Sequence, residues 1–189
     1  RDIPHSRDPA RVRNMAFSAY LVGHRYDLHR LDPVSPEGDG RPFVLGGIRI
    51  EHDRGPVGHS DGDALSHAVT DAILGALGLE DIGQLFPDSD PRWENAQSSI
   101  FLTEACRLMR KRGYELGNLD ATVVLERPKI GPHKDEIRGS LARLMDVDPG
   151  RGNLKGKTHE KVDAIGEGRA IEVHVVALLE KSRADDPPR

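Results

Sequence analysis

Apolar and polar positions alternate around Ala19 to Leu31 and again at Phe43 to Glu51, which predicts two strands. The turn-rich DPVSPEGDGRP between them, with Pro33, Pro36 and Gly38, predicts a hairpin with a long loop. The period then changes. In SDGDALSHAVTDAILGALGL, apolar side chains recur at Leu65, Ala68, Val69, Ala72, Ile73, Ala76 and Leu77, the spacing of one helical face. Ser60, Asp61 and Asp63 offer N-cap side chains at its start, and Gly78 offers a stop. EDIGQLFPDSDPRW has no sustained period and reads as an ordered loop. A second helix is predicted from about Ser98 to Arg112, a strand on Leu119, Ala121, Val123 and Leu125, and a third helix from about His133 to Met145, after the turn RPKIGPH. GNLKGKT predicts a short strand and KVDAIGEGR a Gly-containing loop. AIEVHVVALL predicts a long strand with Ile171, Val173, Val175, Ala177 and Leu179 on one face.

The 189 residues suit one domain. With 37% hydrophobic residues but only 4% aromatic, the core must be built from Leu, Val, Ile and Ala, which suits a compact α+β protein. A net charge of -4 argues against a general nucleic-acid binder, so an anionic ligand must be held locally. No run of 18 apolar residues exists to span a membrane. The single cysteine, Cys106, sits in an apolar helical pattern and reads as a small buried hydrophobe. Residues 1–18 resemble the trimmed, disordered remnant of a leader, 19–181 form the domain, and 182–189 form a frayed tail.

Asp27 and His29 are two apart in a strand, so their side chains leave the same face and can converge on one ion. His67 lies opposite the apolar stripe of its helix, with Asp63 and Asp71 on the same face at i-4 and i+4; a solvated polar face would look alike. Two imidazoles and a carboxylate make a three-ligand site that leaves a coordination position open. The same set serves non-haem iron oxygenases, although for those an all-β jelly roll would be expected. HSDGD at a helix start presents backbone N–H groups to an anion, and KTHEK combines a cation, a hydroxyl and a carboxylate. A helix cap and an exposed turn are the plainer readings.

VGHRYDLHRL, LGGIRI, HDRGPVGHSDGDALSHAVTDAILGALGLEDIGQLFPDSDP, RGYELGNLDATVVLERPKIGPH and NLKGKTHEKVDAIGEG occur in the order and at the spacing of the 2-C-methyl-D-erythritol 2,4-cyclodiphosphate synthases, which the chain resembles from Ala19 to Lys181. KTHEKVD looks like the plastid-type branch, which implies a chloroplast or apicoplast, with the cytoplasm of a bacterium as the alternative. The resemblance implies conversion of 4-diphosphocytidyl-2-C-methyl-D-erythritol 2-phosphate to the cyclic diphosphate with release of CMP; a catalytically silent cytidine-nucleotide binding protein is a further alternative. It implies that Asp27, His29 and His67 hold zinc, and that Glu160 meets a second divalent cation, magnesium or manganese. His59 and Ser60 would contact the methylerythritol phosphate end, and Thr158 with His59 would stabilise and position the transferring group. Asp81 and Gly83 would touch the ribose, while Phe86, Pro87, Asp88, Ser89 and Asp90 shape the erythritol pocket. The backbone from Leu125 to Gly131, with Pro128, Lys129 and Ile130, would receive cytosine, Thr158 would bind the diphosphate, and Lys157 to Glu160 would face a neighbouring subunit's metal.

The fold implied is a mixed sheet of four to five strands covered on one face by three helices. Assembly would be a homotrimer around the sheets, with active sites shared between subunits. The chain departs from the family pattern at Arg25, where glycine is common, at Glu94, where lysine is frequent, and at Gly156, where alanine is usual. Ala164 and Glu167 stand where bacterial members have phenylalanine and arginine near the trimer axis, with Arg169 as the cation close by, so the resemblance does not extend to isoprenoid diphosphate binding there.

Overall fold

The computed structural model describes residues 18–182, so the expected leader and tail lie, but for Ser18 and Ser182, outside the described residues. Strand β1 (Tyr20–Pro33) is the longest element of a five-stranded sheet. It pairs along its length with β7 (Ala170–Lys181), from Tyr20 opposite Glu180 to Arg30 opposite Ala170. Its far end pairs with β4 (Arg54–Pro56). β7 also pairs antiparallel with β5 (Tyr114–Val124), and β5 runs parallel to β6 (Gly152–Lys157), giving the order β4-β1-β7-β5-β6. The expected mixed sheet is therefore present, within an α+β fold.

The hairpin expected between Ala19–Leu31 and Phe43–Glu51 does not form. Val44–Leu45 (β2) and Ile48–Arg49 (β3) instead pair with each other around Gly46 and Gly47, whose φ values are +59° and +77°. Two glycines with positive φ close a two-residue turn whose twist matches its strands, so LGGIRI satisfies its own pairing and leaves the edge of β1 to β4.

Three longer helices surround this sheet: α1 (Ala64–Ala76) packs on β1 and β7, α3 (Ser98–Lys111) on α1 and β5, and α4 (Lys134–Met145) on β6. α3 and α4 begin and end within a residue of the expected bounds, and α1 uses Asp63 among its candidate caps and ends short of Gly78. The segments read as loops carry one further turn of helix each, α2 (Ile82–Leu85) and α5 (Asp163–Gly166). In α2, the Asp81 side chain accepts from the Gln84 amide and Gln84 answers to the Asp81 amide, a capping box that the polar run concealed.

One face of the sheet carries the core. Ile171, Val173, Val175, Ala177 and Leu179 are buried as their alternation predicts, each contributing roughly 1.5–3 kcal/mol if fully buried as Val, Leu or Ile. The other face leaves Val22, Tyr26, Leu28 and Val176 exposed. Cys106 is buried and its thiol is pushed up to about 12 by that burial, an inert core residue as expected. Among the described residues no helix is long and apolar enough to cross a membrane.

The polar face expected for α1 is not solvated. Ser66, Thr70, Asp71 and the N-cap Asp63 are all buried, because β1 covers one flank of the helix and α3 another. Contact with β1 is close: a Cβ on Gly23 would lie 1.8 Å from the Ala72 carbonyl oxygen. Gly23→Ala should therefore push β1 off α1 and cost on the order of 2–3 kcal/mol in denaturant unfolding. Gly75→Ala, in the same helix with nothing within 4 Å of a new Cβ, should stabilise by up to about 1 kcal/mol.

Candidate metal centre and substrate cavity

On the inward face of β1, Gly23 is followed at two-residue steps by Arg25, Asp27 and His29. On the apposed helix, His67 follows the N-cap Asp63 by one turn. The close approach at Gly23 thus brings His67 down on the two strand residues. Asp27 Oδ2 lies 3.1 Å from His29 Nε2, His29 Nε2 lies 3.3 Å from His67 Nδ1, and His67 Nδ1 lies 3.7 Å from Asp27 Oδ2. A tetrahedral ion with bonds of about 2.0–2.1 Å requires its donors about 3.3–3.4 Å apart, so the triangle fits such an ion without rearrangement. Among the described residues this is the cluster of three His, Cys, Asp or Glu side chains able to hold a metal.

Electrostatics favour the ligating forms. Burial works against the Asp27 carboxylate, but its hydrogen bond to His29 and the charges of His29, His67 and Arg25 outweigh that and hold its pKa below the ordinary value. Burial, reinforced by His29, lowers the pKa of His67 against the pull of Asp27, Asp63 and Asp61. A bound cation would replace the imidazole charges in holding Asp27 ionised, with the imidazoles then neutral as ligands.

The outer nitrogen of His67 is also specified. Nε2 lies 2.7 Å from Ser98 Oγ and 3.2 Å from Ser60 Oγ, and Ser98 Oγ in turn meets an Asp61 carboxylate oxygen. An ionised carboxylate only accepts, so the single Ser98 hydroxyl proton goes to Asp61 and the Ser98 oxygen accepts from His67 Nε2–H. That fixes the tautomer with the Nδ1 lone pair facing the ion position. Ser98→Ala should weaken zinc binding by about 10–100-fold in competition with a chromophoric chelator, with the α-helical signal retained.

HSDGD proves to be divided in its work. His59 and Ser60 line a cavity of about 210 Å³ beside the candidate metal ligands His29 and His67, whereas Asp61 serves Ser98. Asp63 is buried and accepts from the Ser66 amide at 3.0 Å and from Gly46 and Gly47 N–H at 2.9 and 2.7 Å. The start of α1 is thus capped by its own chain and is not the open N–H cluster considered for an anion. Of the remaining expected pocket residues, Gly83, Phe86 and Asp88 line this cavity. Asp81 caps α2, and Asp90 is engaged with Arg92 Nε at 2.9 Å.

Leu125, Lys129, Ile130, Gly131, Lys157 and Thr158 line a second cavity of about 330 Å³, joined by Lys134 and Gly156. Thr158 Oγ1 donates to Glu160 Oε1 at 3.0 Å. This cavity is far from the first within one chain. Lys157 pairs with Val124, Val124 with Glu172, and Glu172 with Leu28. Three interstrand steps of about 4.8 Å therefore place Lys157 level with Leu28 but about 14 Å across the sheet.

Sequence reasoning missed several participants. Trp93 and Phe101 line the first cavity, where Phe86 meets Phe101 with centroids 4.7 Å apart and the rings tilted by 38°, and meets Trp93 edge-on at 5.2 Å. In a chain with four Phe and one Trp, that clustering was the available signal. Arg41 donates to the Gly58 carbonyl at 2.9 Å and to Asn95 Oδ1 at 2.6 Å, while Asn95 N–H bonds the His59 carbonyl, so the His59 loop is clamped from outside. Arg169, the cation noted near the expected trimer axis, is paired with Glu167 at 2.7 Å.

The jelly roll expected for an oxygenase is absent, since one ligand stands on a helix packed against a mixed sheet. The profile of the YgbB family matches residues 20–180, and the chain belongs to that family. Its relatives carry a specific activity in their names. The chloroplastic 2-C-methyl-D-erythritol 2,4-cyclodiphosphate synthase of Arabidopsis thaliana is 60% identical over 162 residues, which is 86% of this chain and 68% of that protein. The synthase of Thermosynechococcus vestitus is 46% identical over 159 residues, 84% of this chain and 95% of that one. The solved CDP complex of IspF from Plasmodium falciparum superposes with a TM-score of 0.77 at 36% identity, covering 89% of this chain and 100% of that one. The resemblance drawn from the motifs is borne out, including its plastid-type branch.

Proposed function

We propose that this chain converts 4-diphosphocytidyl-2-C-methyl-D-erythritol 2-phosphate to 2-C-methyl-D-erythritol 2,4-cyclodiphosphate and CMP, within a plastid, in the non-mevalonate route to isoprenoid precursors. The observation that carries this reading is the Asp27–His29–His67 triangle opening on the cavity of His59, Ser60 and Phe86, in a chain whose family relatives are cyclodiphosphate synthases. The 2-phosphate oxygen attacks the outer phosphorus of the cytidine diphosphate, and the bond to CMP breaks as the ring closes.

Both reacting groups are anionic. Two unit charges about 4 Å apart repel by roughly 4 kcal/mol at an effective dielectric of about 20, and several such pairs meet in this substrate. Zinc on Asp27, His29 and His67, with magnesium or manganese at Glu160, supplies the neutralising charge and polarises phosphoryl oxygens when bound. The protein supplies placement. Ser60 and His59 receive the methylerythritol phosphate end against the wall of Phe86, Trp93 and Phe101, whose low polarity excludes water that would compete as nucleophile. The backbone from Leu125 to Gly131 holds cytosine, Lys157 faces the metal site of a neighbouring subunit, and the Thr158 hydroxyl donates to the transferring group. No strong base is needed, because the attacking oxygen is already ionised.

The two cavities lie too far apart in one chain for a single substrate to be held as this chemistry requires. A homotrimer with the sheets facing inward and the three helices outside brings Thr158 of one subunit to the metal ligands of the next. The exposed Val22, Tyr26 and Leu28 on the uncovered sheet face support that assembly.

Phosphorus NMR with this substrate, zinc and magnesium should show CMP and the cyclic diphosphate appearing together. His67→Ala should reduce turnover by at least about 100-fold and lose zinc. Absence of CMP from the wild-type protein supplied with both metals would contradict the assignment.

A further inference from the structure

Four carboxylates crowd the seam between β1 and α1, and three of them have their work defined: Asp27 faces the ion position, Asp61 takes the Ser98 hydroxyl, and Asp63 caps α1. Asp71 is left. Its side chain is 4% exposed, and it stands one helical turn beyond His67. One oxygen, Oδ1, accepts from the Ile82 amide at 2.7 Å. The other, Oδ2, lies 3.2 Å from Arg25 Nε, an ion contact rather than an aligned hydrogen bond. Arg25 also reaches the outer oxygen of Asp27, Oδ1, at 4.0 Å, opposite the oxygen that faces the two imidazoles.

Ile82 is the first residue of α2, and Ile82 and Gly83 line the cavity beside His29 and His67. α2 has a single turn, so its own hydrogen bonds fix it weakly. The bond from Ile82 N–H to Asp71 ties it to the helix that carries His67. A buried carboxylate holds such a bond at little cost only when a cation offsets its charge, and Arg25 is the cation that meets it.

We propose that Arg25 is a positioning residue: its guanidinium bridges Asp27 and Asp71 and, through Asp71, fastens the start of α2 so that this wall of the cavity keeps a fixed place relative to the metal ligands. The inference rests on the function proposed above and concerns substrate binding, since Arg25 is absent from the cavity lining. The wall it sets is the one facing the substrate's sugar portion.

The test compares the full-length, metal-loaded wild-type protein with Arg25→Lys, Arg25→Met, Asp71→Asn and the Arg25→Met/Asp71→Asn double variant. Two readouts are used, steady-state kinetics and hydrogen–deuterium exchange of the peptide spanning residues 79–86. Arg25→Met should raise KM about tenfold with kcat within about threefold, and should speed exchange of that peptide about tenfold. Arg25→Lys keeps the charge but not the two-pronged reach, and should fall between wild type and Arg25→Met on both readouts. The double variant should recover to within about threefold of wild type, because an amide oxygen still accepts from Ile82 and brings no charge to offset. Unchanged KM and exchange in Arg25→Met would overturn the proposal, as would a double variant no better than Arg25→Met. A wild-type protein that does not turn over would reject the functional reading instead, and the exchange comparison would still decide whether the clamp exists.

Discussion

The contact between β1 and α1 at Gly23 and Ala72 is the constraint on which the site depends. Neither the strand nor the helix carries enough ligands to hold an ion tightly. Because Gly23 has no side chain, the helix lies directly against the strand, and His67 comes within 3.3–3.7 Å of the ligand atoms of Asp27 and His29. The same row of the strand therefore supplies both the packing contact and the ligands. Stability of this seam and the ability of these three side chains to hold a cation are two expressions of one arrangement.

Around that seam the protein gathers negative charge and then disposes of it. Asp61 is spent on Ser98, Asp63 on the amides of Gly46, Gly47 and Ser66, and Asp71 on Ile82 and Arg25. Each buried carboxylate has a stated donor or cation, so the one presented to an ion is Asp27, held in its charged form by His29. The cost of burying so many acids is met by bonds that also fix a loop, a helix start or a cavity wall. The second cavity carries three lysines, which suits an anionic ligand in a chain of net charge -4.

Much of this was legible in the sequence, for physical reasons that differ from element to element. The inward face of β7 could be read because alternation has a period of two and burial enforces it, and α3 and α4 because their apolar faces repeat over three turns or more. Asp27 and His29 could be paired on strand spacing alone. What the chain did not disclose was partnership. Nothing local shows that β1 pairs with β7 and β4 rather than with the nearer Phe43–Glu51, or that β1 and α3 bury the polar side of α1. Arg41 was missed because its partners lie far away in sequence, and Trp93 and Phe101 because a segment without sustained period does not show that its rings converge. Motif resemblance supplied the second cavity, and only the strand register revealed how far it lies from the first.

The central claim is that two imidazoles and one carboxylate enclose a single cation and leave it room for substrate. X-ray absorption at the zinc edge, on protein loaded with one equivalent of zinc, reads that shell directly. The account predicts two imidazole nitrogens and oxygen ligands at about 2.0–2.1 Å, with no sulfur. A sulfur shell near about 2.3 Å, or a single imidazole in the fit, would contradict it.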